Sequence, residues 1–129
     1  MSNSVDLSSI NPLRITELMQ VLSKARFSLE NEKKLQLEIE QKIVQLNIDY
    51  QKEYRLGKGS VPDFFIVTEG IVIEIKIKGS ASKIYAQLSR YASFECVHHI
   101  ILVTNRTMGL PAKINNKPTY MIKLGKAWL

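Results

Sequence analysis

The 129-residue chain has a single cysteine, Cys96. One thiol makes no internal disulfide and no Cys-rich zinc site. No apolar run approaches the roughly 20 residues that a membrane-spanning helix needs, so no membrane association is expected. The N-terminus lacks the basic and apolar segments of a secretory signal, which predicts a cytoplasmic protein. Internal repeats, low-complexity tracts and an interdomain linker are also missing. Residues 1–11, polar and rich in Ser and Asn, read as a flexible N-terminus, and 12–129 as a single domain large enough for one core.

Apolar residues make up 45% and charged residues 23%, ordinary for a globular chain. The net charge of +6 favours a polyanionic partner.

The most informative stretch is 61–78. Val61 and Phe64 to Val67 read as one strand. From 71 to 78 the pattern alternates, with Ile71, Ile73, Ile75 and Ile77 on one face and Val72, Glu74, Lys76 and Lys78 on the other. Period-two alternation of β-branched residues is a strong strand signal. Glu69-Gly70 suits a two-residue hairpin loop, because Gly accepts the positive φ of a primed turn. That loop pairs Thr68 with Ile71, Phe65 with Glu74 and Asp63 with Lys76. Opposed residues share a face, so Asp63, Glu74 and Lys76 converge on one side, while Phe64 and Ile66 join the isoleucines on the other. A slip of one residue would put Asp63 among the isoleucines.

Two neighbouring carboxylates repel, so they take up a proton or share a cation. Oxygen ligands in that number suit Mg²⁺, which keeps several waters and is completed by substrate phosphate. A lysine beside them can hold a water or neutralise charge on a phosphate. These groups are suited to phosphodiester hydrolysis.

Pro62-Asp63 followed by Glu74-Ile75-Lys76 resembles the signature of the PD-(D/E)xK nuclease superfamily, and the likeness covers about residues 28–105. It implies an α/β fold with a restriction-endonuclease-like αβββαβ core, a mixed central sheet flanked by helices. It also implies Mg²⁺ or Mn²⁺ as cofactor, held by Asp63, Glu74 and the backbone carbonyl of Ile75. Lys76 would act on the attacking water or the developing charge, and the products would be a 3′-hydroxyl and a 5′-phosphate. The expected partner is DNA, possibly branched, with no small-molecule cofactor. Small members of the superfamily include phage and archaeal Holliday junction resolvases and virus-type replication-repair nucleases. Many are homodimers, because two cuts across a junction need two sites related by a twofold axis. For a viral member the compartment is the host cytoplasm. The leading expectation is a DNA endonuclease of recombination, repair or phage replication. The alternatives are a homodimeric junction resolvase and a catalytically silent nucleic-acid-binding module.

The flanking segments supply further candidates. Asn11-Pro12 suits the start of a helix running to about Lys24. A second helix is expected from an N-cap at Ser28 to about residue 47. At 100° per residue Leu35, Ile39, Ile43 and Leu46 fall within ~80° of one another, with Glu32 on that stripe and Glu40 at its edge. Many superfamily members carry an acid on this helix, and Glu32 is the choice here over Glu40. Residues 48–56 read as a strand leading into Gly57-Lys58-Gly59-Ser60, where Lys58 is a candidate DNA contact. After Gly79 a helix capped by Ser80 or Ser82 carries Gln87 and Tyr91, four apart and so on one face. They resemble the Gln-x-x-x-Tyr helix that borders the active site in the exonuclease branch, with Gln87 as a catalytic-site residue and Lys83, Arg90 and Tyr91 toward the nucleic acid. His98 and His99 open an apolar strand to Thr104. Adjacent strand residues face opposite ways, which argues against a shared metal. A turn at Asn115-Asn116 and a short strand at 120–124 follow. Trp128 and the terminal leucines could pack on the body or on a second subunit.

Overall fold

A computed structural model describes residues 13–125. The flexible segment expected at 1–11, the helix start at Asn11-Pro12 and the packing expected of Trp128 lie outside the described residues. The elements run α1 (Leu13–Lys24), α2 (Glu32–Gln45), β1 (Gln51–Lys52), β2 (Phe64–Ile66), β3 (Ile71–Lys76), α3 (Ala81–Ala92), β4 (His99–Thr104), β5 (Lys113–Ile114) and β6 (Lys117–Lys123). The fold is α/β, with a mixed six-stranded sheet in the order β1-β2-β3-β4-β6-β5. β3, β4 and β6 are parallel, while β1, β2 and β5 join antiparallel at the two sides.

Alternation along the strands divides the core in two. Phe64, Ile66, Ile71, Ile73, Ile75, Ile101 and Val103 pack with Leu18, Leu22, Leu35, Ile39 and Ile43 of α1 and α2. Phe65, Val72, Ile100 and Leu102 pack on the opposite face with Ile84, Leu88 and Tyr91 of α3. β4 is therefore apolar on both faces, as a central parallel strand must be. No helix among the described residues is long and apolar enough to cross a membrane.

Several boundaries differ from those expected. The hairpin closes through four residues, Val67 to Gly70, with Ile66 opposite Ile71 and Phe65 opposite Val72. The Gly70 N–H donates to the Ile66 carbonyl at 2.8 Å. The register is thus two residues from the expected one. An even shift leaves each side chain on its face, so the isoleucine face is kept. What changes is the opposite number, since Asp63 now lies alongside Glu74 rather than Lys76. The expected strand at 48–56 shrinks to β1, because Glu53 takes φ 49° and bends the chain away. Asn31, not Ser28, caps α2 by accepting the Lys34 N–H, and the Ser28 N–H instead donates to Glu38. Ser80 caps α3. Asn115 and Asn116, at φ 50° and 64°, form the turn between β5 and β6, and β6 is longer than expected.

Gly70 sits at φ 68°, and a Cβ there would lie 2.5 Å from the Cys96 carbonyl and 2.4 Å from the His98 ring. Gly70→Ala therefore combines left-handed backbone strain with a clash against backbone. It should destabilise the protein by about 2 kcal/mol or more in urea unfolding.

Candidate metal and phosphate site

The site is assembled where β2 runs antiparallel to β3, at the carboxyl end of β3. Asp63 immediately precedes β2. Its carbonyl accepts the Glu53 N–H at 3.0 Å, which carries the ladder one residue beyond β1. Its N–H donates to Glu74 Oε1 at 3.2 Å, and its Oδ2 accepts the Ile75 N–H at 2.7 Å. Each carboxylate is thus tied to the backbone of the other's strand, and the two face the same space. Glu74 is 2% exposed. Its Oε1 also accepts the Tyr91 hydroxyl at 3.0 Å, and Lys76 Nζ lies 3.0 Å from its Oε2. Gln87 Nε2 donates to the Tyr91 hydroxyl at 2.8 Å. From the other layer Gln36 of α2 donates to Asp63 Oδ1 at 3.0 Å.

Burial and the Glu74 charge push the Asp63 carboxyl up to about 7, against the pull of the Ile75 N–H and Lys76. Burial also raises Glu74, opposed by Lys76 and by the Tyr91 hydrogen bond. Neighbouring carboxyls of this kind titrate as a pair, and the raised Asp63 carboxyl retains its proton toward neutrality. Burial and the Glu74 carboxylate keep the Tyr91 phenol protonated, so it remains a donor.

Among the described residues no cluster of three or more His, Cys, Asp or Glu side chains forms a ready-made metal cage. The donor set nevertheless fits Mg²⁺, which takes one or two carboxylates and fills its sphere with water and substrate oxygen. An ionised carboxylate offers about four lone-pair positions. Two are used on Asp63 and three on Glu74, counting the Lys76 contact, so each acid keeps at least one lone-pair position.

The structure brings Asp63, Glu74, Ile75, Lys76 and Gln87 together. Other expected site residues stand elsewhere or play other parts. Glu32 is partly buried in the first turn of α2. It makes no hydrogen bond to Asp63, and its charge is a minor contribution to raising the Asp63 carboxyl. Glu40 is drawn to β1 by the Tyr50 hydroxyl at 2.6 Å and by Lys52. Tyr91 was expected on the nucleic acid but is fully buried against Glu74, so it positions that acid. Lys83 and Arg90 are exposed on α3. Lys58 is exposed in a turn whose Gly57 rests on Phe94, beyond the carboxyl end of α3. Lys83 lies in the first turn of that helix, eleven residues earlier and on the order of 16 Å away along the axis. His99 is partly buried beside Tyr120, its ring kept neutral by burial and by His98, and takes no part in the acid cluster.

Gln36 is the site residue that sequence reasoning passed over. It follows Glu32 by four and so shares its face. A search for acids overlooks a neutral amide donor, although a donor is what a crowded carboxylate needs.

No family model matches this chain, and neither does any curated protein or solved structure.

The raised Asp63 carboxyl has a consequence for stability. Between about pH 4 and 7 the unfolded chain has released this proton and the folded chain still holds it. Stability of the metal-free protein should therefore fall as pH rises through that window. Asp63→Asn should flatten the fall and be the more stable form at pH 8, measured by urea unfolding in EDTA across the range.

Proposed function

We propose that this protein is a divalent-metal-dependent nuclease that hydrolyses DNA phosphodiester bonds. The observation that carries the reading is the pair of carboxylates, buried Glu74 and half-buried Asp63, each fixed by the other's backbone, with Lys76 at 3.0 Å from Glu74. The likeness of Pro62-Asp63 and Glu74-Ile75-Lys76 to the PD-(D/E)xK signature agrees with it. So does a mixed sheet with helices on both faces, which is compatible with the restriction-endonuclease-like core. The net charge of +6 suits a polyanionic substrate.

Asp63, Glu74 and, by the resemblance, the Ile75 carbonyl would hold Mg²⁺ or Mn²⁺. Such an ion activates water and neutralises charge on the phosphate. In the chemistry that the resemblance implies, water attacks phosphorus and the bond to the 3′ oxygen breaks. The 3′ oxygen leaves with a proton as a hydroxyl, and the phosphate stays on the 5′ side. Lys76 turns from Glu74 toward the attacking water or the charged phosphoryl oxygens. Tyr91 and Gln36 keep Glu74 and Asp63 from rotating away, and Gln87 holds Tyr91. Substrate shape follows from the same resemblance: an endonuclease, with a homodimeric junction resolvase as the form that cuts four-way DNA.

A second reading is a DNA-binding module that does not cut. It is favoured by the three donors already on Glu74, which leave that acid little room for a metal.

Plasmid and branched DNA should be cut with Mg²⁺ or Mn²⁺ and left intact in EDTA. Lys76→Ala should lower cutting by at least ~10²-fold with an unchanged circular dichroism spectrum. Full activity of that variant would overturn the mechanism. DNA binding that is indifferent to metal, with no cleavage of any linear, flapped or four-way substrate, would favour the second reading.

A further inference from the structure

The acid pair has a neighbour of opposite character. Between the end of β3 and the first turns of α3 lies a cleft of about 210 Å³, lined by Lys76, Lys78, Gly79, Lys83, Ile84 and Gln87. Three of the six are lysines and none is an acid. Lys76 is paired with Glu74. Lys78 and Lys83 have no ion pair among the described residues, and both are exposed. The backbone gathers them: Gly79, at φ 103°, turns the chain out of the strand, and Ser80 then starts the helix. Lys78 before the turn and Lys83 after it reach the rim of one hollow.

Unbalanced like charges around a concave space raise the local concentration of anions. Two residues of its lining also link the cleft to the acid pair. Lys76 reaches Glu74, and Gln87 reaches Tyr91, which holds Glu74. We infer that this cleft binds a backbone phosphate of the nucleic acid adjoining the one to be hydrolysed, with Lys78 and Lys83 as its cationic contacts. The inference rests on the nuclease reading for its ligand and adds Lys78 and a place for Lys83. The two cations set the register of the strand, so that the next phosphodiester falls over Asp63 and Glu74.

The test is binding rather than cutting, so the two readings fail separately. A short fluorescent single-stranded DNA is titrated into full-length protein in EDTA at several salt concentrations. Lys78→Ala/Lys83→Ala should weaken binding about tenfold or more. It should also lower the slope of log affinity against log salt by roughly 1.4, the loss of two phosphate contacts on a single strand. Lys24→Ala/Lys113→Ala removes equal charge from exposed positions outside the cleft and should change neither. An unaltered slope in the first double variant, or an equal fall in the second, overturns the cleft assignment. Inorganic phosphate binding that the first double variant loses, with strand affinity intact, overturns it too and assigns the hollow to the free ion. Loss of the two contacts in a protein that never cuts DNA keeps the cleft and removes the nuclease.

Discussion

Two carboxylates that repel each other are held together by strand pairing. The isoleucines of β3 and the phenylalanines of β2 fix which face each residue takes, and that register leaves Asp63 beside Glu74. The backbone then fastens them crosswise, Asp63 N–H to Glu74 and Ile75 N–H to Asp63. Desolvation makes the arrangement unfavourable for two bare charges, and the raised carboxyls are its signature. Folding energy from the hydrocarbon on both faces of the sheet offsets that cost. The result is a site in which a cation or a proton is favoured beside the two acids.

The helices extend this constraint to both layers. α2 sends Gln36 to Asp63, and α3 sends Tyr91 to Glu74 with Gln87 behind it. The carboxyl end of α3 is anchored in turn by Lys117, which donates to the Phe94 and Val97 carbonyls just past the helix, and by Asn115, which donates to the Ala92 carbonyl. Movement of α3 would therefore be felt at Glu74. The same helix supplies one rim of the lysine cleft, so the acid pair and the cleft share one element.

Much of this was legible in the residues. Alternation at 71–77 gave the strand and its faces, and the apolar run at 100–103 gave a strand buried on both sides. The loop length was not legible, because Val67 and Thr68 are good strand residues and a two-residue turn at Glu69-Gly70 suits the same alternation. Only the closing bond from Gly70 to Ile66 shows that they belong to the loop. Both loops preserve parity, which is why the acids converge under either register while their opposite numbers differ. The interruption at Glu53 is a positive φ in a residue with no sequence mark for it. Tyr91 is legible as part of the buried side of α3 with Ile84 and Leu88. The nucleic-acid contact expected of it came from the Gln-x-x-x-Tyr resemblance, and a side chain with no exposed surface cannot make that contact.

The central claim is that Asp63 and Glu74 form one divalent-cation site that holds a proton when empty. Calorimetric titration with Mn²⁺ near pH 6.5, repeated in two buffers of different ionisation enthalpy, tests it most directly. The account predicts saturable binding at one ion per chain with release of a fraction of a proton up to about one, and loss of most of the affinity in Asp63→Asn. Failure to saturate at millimolar Mn²⁺, or equal affinity in Asp63→Asn, would contradict it.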